Sequence, residues 1–125
     1  MLTIGGCDTN DALVGYSSRG PSINGMYPYK PDVVAYTHFL GSRVNRTFVP
    51  DTGVSAACPV AAGCVAALRT HPDLKPSKVS SAKLFKALRD TARKPAGMPA
   101  GWDDGYGYGV IDPVAAARSL GVQIP

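Results

Sequence analysis

Short apolar runs alternate along the chain with polar stretches rich in glycine and proline, and the longest apolar run lies near the middle. From Ala56 to Leu68 nearly every side chain is small and apolar, broken only by Pro59 and Gly63. Its length and its lack of a polar side predict a helix over residues 55–70, stopped by Pro72 and buried on every face. Pro59 is placed in the first turn, where the N–H that proline lacks would have no partner anyway. The helix start then falls within residues 53–57, with Ser55 on the first turn. A second pattern covers residues 80–93. Leu84, Ala87, Leu88 and Thr91 recur at i, i+3, i+4 and i+7, which predicts an amphipathic helix with its lysines toward water. Asp112 before Pro113 reads as an N-cap and a first helical residue, and Gly121 ends a short helix over residues 114–120.

The strand signals are shorter. Residues 2–6, an apolar run closed by glycines, predict a buried strand of a parallel sheet. Residues 8–11 are turn chemistry, and residues 12–16 read as a second strand or a strand end. The β-branched run 33–36 reads as a third, and residues 46–49 as a fourth, after a turn at Gly41-Ser42-Arg43. Residues 20–31 hold three prolines and two glycines and read as loop, as do residues 101–109. Strands followed by helices give an α/β fold class.

The 125 residues amount to one domain at most, with 45% hydrophobic and 18% charged residues. Fourteen glycines and eleven prolines then mean many turns, not disorder, because the apolar segments between them stay long. A net charge of +4 is spread along the chain except around Lys75, Lys78, Lys83, Lys86 and Arg89. That cluster is a solvated helix face, so no nucleic-acid partner is expected. No charged-then-apolar leader precedes Leu2 and no apolar run is of membrane-spanning length, so no membrane partner is expected either. Cys7, Cys58 and Cys64 lack metal-ligand spacing and read as buried free thiols. Cys58 and Cys64 sit six residues apart, about 9 Å along one helix, too far to bridge. Asn45-Arg46-Thr47 fits a glycosylation sequon.

Ser55 admits two readings. It is an N-cap serine closing a free backbone N–H, the common role at such a place. Or it is a nucleophile, set among unpaired N–H groups at the positive end of a helix dipole that suits a developing oxyanion. Gly53 lets a substrate backbone come close, and Ala56 and Ala57 leave room beside the hydroxyl. The nucleophile-elbow pattern G-x-S-x-G fails at Ala57.

Three blocks decide where the weight falls. Gly53-Val54-Ser55-Ala56-Ala57-Cys58-Pro59-Val60-Ala61-Ala62-Gly63 resembles the G-T-S-x-A-x-P-x-V-A-G block around the catalytic serine of subtilisin-like serine peptidases. Tyr16-Ser17-Ser18-Arg19-Gly20-Pro21 is similar to that family's aromatic-S-S-x-G-P block, and Lys30-Pro31-Asp32-Val33-Val34-Ala35 to its K-P-D-V-x-A-P block. They stand in the family's order, and the likeness covers nearly the whole chain. The resemblance implies that residues 1–125 are the C-terminal portion of a subtilisin-like catalytic domain: a three-layer α/β fold with a mostly parallel sheet and a buried central helix.

It further implies a serine endopeptidase with Ser55 as nucleophile, and Tyr16, Gly53 and Ala56 against the substrate. Tyr16 would line the leaving-group side of the cleft; its alternative is a core tyrosine. The family's triad order is Asp, His, Ser, which places the acid and base, and the oxyanion asparagine, before this chain begins. Of the two histidines, His71 would lie about 24 Å from Ser55 along a continuous helix, far beyond the roughly 3 Å a general base needs. His38 follows the Lys30–Ala35 block where the family has no catalytic histidine. Asp51 and Asn45 suit neither the triad acid nor the oxyanion donor. The chain departs from the family at Val54, where threonine is usual, and at Val60, where histidine is common. Val54 keeps open a second reading, a non-catalytic module acting by binding.

The expected partners are a peptide or protein substrate and the upstream part of the chain's own catalytic domain. Without that part the strand at residues 2–6 and the central helix should each expose an apolar face, so the isolated chain should self-associate and be inactive. No cofactor is expected in this chain, and calcium, which the family often binds, would belong to the full-length protein. Secretion is what the family resemblance implies.

Overall fold

The computed structural model describes residues 1–43, 46–50 and 52–124, with side chains except at 42–50. Asn45 of the sequon and Asp51 lie outside the described residues. Strand β1 (Ile4–Cys7) pairs in parallel with β2 (Val33–Tyr36), Ile4 opposite Val33 and Cys7 opposite Tyr36. Val110 adds a parallel bridge to Val34. Val33, Val34 and Ala35 are fully buried, as the continuous apolar run requires of a strand covered on both faces.

Helix α1 (Val54–Thr70) lies on this pair through Ala57 and Ala61, which meet Ala35. Alanines at this contact let the helix approach the sheet closely. Helices α2 (Ser81–Asp90) and α3 (Pro113–Ser119) close the main core, where Leu68, Leu74, Leu84, Leu88, Ala117 and Val122 pack together. Both begin at side-chain caps: the Ser80 hydroxyl accepts from Lys83 N–H and Asp112 Oδ1 from Ala115 N–H. The α/β architecture expected from the sequence is the one observed.

Four local expectations change. Residues 12–16 form no strand: Asp8 Oδ1 accepts from the N–H groups of Asn10 and Ala12, folding the chain back so that Leu13 alone bridges Cys7. Gly41-Ser42-Arg43 is not a turn but part of strand β3 (Leu40–Arg43), antiparallel to β4 (Arg46–Pro50). That pairing depends on a cross-strand partner, which local composition does not carry. Pro59 lies inside α1 beyond its first turn, so the Ser55 carbonyl has no i+4 N–H to accept from. Cys58 is an exposed thiol, whereas Cys7 is buried.

Within this chain α1 is covered on one face. Ala56, Ala57, Ala61 and Leu68 are buried, while Cys58, Pro59, Ala62, Gly63, Ala66 and Ala67 are exposed. An apolar groove of about 740 Å³ runs beside it, walled by Val60, Cys64, Leu68, Val114, Val122 and Ile124. A second hollow of about 330 Å³ separates the start of β1 from Cys58, Ala62 and Val65. No described helix is long and apolar enough to cross a membrane.

Candidate active site around Ser55

Gly53 is the N-cap of α1, with φ +98°, a conformation that glycine reaches far more readily than other residues. No side chain caps the helix, so Ser55 is not the capping serine of the first reading. Ser55 is instead the second helical residue, and its side chain is exposed. Ala56 N–H donates to the Gly53 carbonyl at 2.9 Å. The N–H groups of Val54 and Ser55 find no acceptor among the described residues. Two donors with no acceptor among the described residues, at the positive end of a 17-residue helix beside an exposed hydroxyl, form an arrangement that stabilises negative charge.

The hydroxyl opens on a groove of about 500 Å³. Its walls are the start of β1 at residues 3–5, Tyr16, residues 18–22, Lys30 with Pro31, and Val54. Among the described residues two cations, Arg19 and Lys30, line it and no carboxylate does. Lys30 Nζ lies 2.5 Å from Asp32 Oδ2, and Arg19 stands 3.7 Å from Asp104 with both side chains largely exposed. Asp32 itself is fully buried. Burial pushes its carboxyl upward, but hydrogen bonds from Lys30 and Thr3 outweigh that and hold it below the usual carboxylate range.

Of the residues expected against a substrate, Tyr16 faces the groove, about half exposed. Its phenol oxygen accepts from Gly53 N–H at 2.8 Å. It also lies 3.3 Å from Thr37 Oγ1 and 3.5 Å from His38 Nε2. Tyr16 is therefore not a core tyrosine. Gly53 forms the turn behind the groove, and Ala56 is buried against the protein, not presented to the groove. This contact between residues 16 and 53 was not legible in the sequence, because it joins two loops through one hydroxyl.

No described side chain hydrogen-bonds the Ser55 hydroxyl. His71 ends α1 at its far terminus, where Nδ1 accepts from Asp73 N–H and caps the 3-10 turn Pro72–Leu74. His38 reaches Tyr16, not Ser55. Among the described residues no group of three His, Cys, Asp or Glu side chains is placed to hold a metal ion.

The profile described as "Subtilase family" matches residues 1–109. "Subtilisin-like protease SBT4.10" of Arabidopsis thaliana is 33% identical over 126 residues, spanning 86% of this chain and 18% of that protein. "Mycosin-4" of Mycobacterium tuberculosis is 28% identical over 125 residues, spanning 95% of this chain and 26% of that protein. Among solved structures, the Clostridium perfringens CspB protease superposes with a TM-score of 0.82 at 21% identity, over 99% of this chain and 27% of that one. MycP1 with its N-terminal propeptide removed does so at 0.66 and 25% identity, over 100% of this chain and 38% of that one. The chain thus spans about a quarter or less of the length of these curated relatives. With three sequence blocks, a profile over most of its length and the α/β fold in agreement, the chain belongs to the subtilase family of serine peptidases.

Proposed function

We propose that residues 1–125 are the C-terminal, nucleophile-bearing portion of a subtilisin-like endopeptidase catalytic domain, with Ser55 as the nucleophile. One observation carries the reading: Ser55 stands exposed on an open groove, beside N–H groups that have no acceptor among the described residues. Ser55 Oγ attacks the peptide carbonyl, a base supplied by another part of the polypeptide takes its proton, and Ser55 N–H donates to the oxyanion. The substrate is a peptide or protein, lying along Tyr16 and the turn at Gly53.

That other part is the upstream segment of the same catalytic domain. The uncovered apolar face of α1 supports this, as does the small share of each relative's length that the chain spans. Among the described residues of this chain no base lies within reach of Ser55, and losing the triad histidine costs on the order of 10⁶ in kcat in subtilisin. Export from the cell fits the same reading, supported by the structural likeness, at 26% identity and TM-score 0.62, to a chain of the periplasmic assembly of the ESX-5 inner membrane complex.

The test is proteolysis by the full-length protein and by its Ser55→Ala variant. Loss of activity with an unchanged melting temperature is the expected result. Full activity of Ser55→Ala would overturn the reading. A fully folded but inert wild type would favour the second reading, a binding module, for which Val54 in the threonine position is the supporting observation.

A further inference from the structure

We infer that Tyr16 is a positioning residue: its hydroxyl fixes the turn that aims Ser55. The proposal rests on the reading of Ser55 as nucleophile and adds a role that the aromatic ring alone does not supply. The turn before α1 passes through Gly53, the N-cap, at φ +98°, and no side chain caps the helix. The Gly53 N–H has one acceptor among the described residues, Tyr16 Oη at 2.8 Å.

The phenol is itself held. Thr37, fully buried, donates its N–H to the Cys7 carbonyl at 2.8 Å and so continues from the end of β2 as a rigid anchor. Its hydroxyl lies 3.3 Å from Tyr16 Oη. The His38 ring lies beside the tyrosine, ring centroids 5.7 Å apart, with its Nε2 3.5 Å from the phenol oxygen. The oxygen therefore transmits the position of the sheet to the peptide unit that precedes Val54 and Ser55. The Val54 N–H lies in the next peptide unit, across Gly53, and the Ser55 N–H in the one after, so the placement of the held unit bears on where both point. Small errors of aim are costly in such a site, since a misplacement of about 1 Å can cost roughly a hundredfold in rate.

Tyr16→Phe removes the oxygen and keeps the ring against the groove. In the full-length protein it should slow fluorophosphonate labelling of Ser55 tenfold or more. The KM for a peptide substrate should stay within about twofold and the melting temperature within about 2 °C, because ring packing is retained. In the full-length protein the same variant should also speed hydrogen exchange of the Gly53 amide selectively. A wild type labelled at Ser55 and a Tyr16→Phe variant labelled equally fast would overturn the positioning role and leave the nucleophile reading intact. A large fall in melting temperature together with the rate would make the hydroxyl merely structural, and also overturn it. A wild type not labelled at Ser55 would overturn the nucleophile reading and the aiming role with it; Gly53 exchange would then report only whether the hydroxyl holds the turn.

Discussion

Asp32 Oδ2 accepts two hydrogen bonds from Thr3, at 2.7 Å from its N–H and 2.9 Å from its hydroxyl, and so ties the start of β1 to the start of β2. The same carboxylate takes Lys30 at 2.5 Å and Arg89 at 3.2 Å. One fully buried anion thereby joins the groove wall, the sheet and α2. Asp32→Ala should destabilise the fold by about 3–5 kcal/mol, the cost of breaking a buried charge pair from one side. Urea unfolding measures it, and a loss under about 1 kcal/mol would show that the network is incidental.

The same residue gives a pH dependence. Its carboxyl is held below its unfolded value of about 3.9. Its contribution is therefore complete above that value and disappears as pH falls through the lower, folded-state value. Acid titration of the melting temperature should show a drop in this window that is smaller in Asp32→Asn, the remainder coming from Asp11 and Asp73, whose carboxyls are also held low.

Gly107 separates steric clash from backbone strain. It has φ +63°, and a Cβ there would lie 2.4 Å from the Asp32 carbonyl oxygen. Gly101 has φ +86° with open space around it. Gly101→Ala should cost about 1 kcal/mol, the left-handed penalty alone. Gly107→Ala should cost clearly more, because the Asp32 carbonyl it would displace accepts from Tyr108 N–H at 2.7 Å. Equal losses in chemical denaturation would contradict the close approach.

The three thiols report on what covers α1. Cys58 is exposed and Cys64 partly so, while burial pushes the Cys7 thiol up to about 12. In the isolated chain iodoacetamide at pH 8 should modify Cys58 first and leave Cys7 untouched until the protein unfolds. In the full-length protein Cys58 should be protected. Equal reactivity in both would argue against an upstream segment on this face.

The uncovered side of α1 and its 740 Å³ apolar groove also bear on the isolated chain in solution. Light scattering should give a mass above the 13.0 kDa of one copy. A monomer with a cooperative melt would contradict self-association.

Much of this fold is legible in the sequence where the determinant is local. Asp112 with Pro113 places α3, the heptad-like spacing of Leu84 and Leu88 orients α2, and the β-branched pair Val33-Val34 marks a central strand. What escaped depends on cross-strand and turn contacts that single-residue propensity does not carry. Strand β3 forms only against β4, and Leu13 reaches Cys7 only because Asp8 folds the chain back. Pro59 escaped for a different reason, since a proline signals the first turn of a helix yet here sits deeper in one. At the site, the family block identifies Ser55, but the groove and the contact from Tyr16 to Gly53 arise from three segments that meet only after folding.

Covalent labelling of the full-length protein with a fluorophosphonate, followed by peptide mapping, asks most directly whether this helix start carries a nucleophile. A single adduct on the Ser55 hydroxyl, lost in Ser55→Ala, is the expected result. An adduct on any other residue, or none on a folded protein that cleaves peptides, would contradict it.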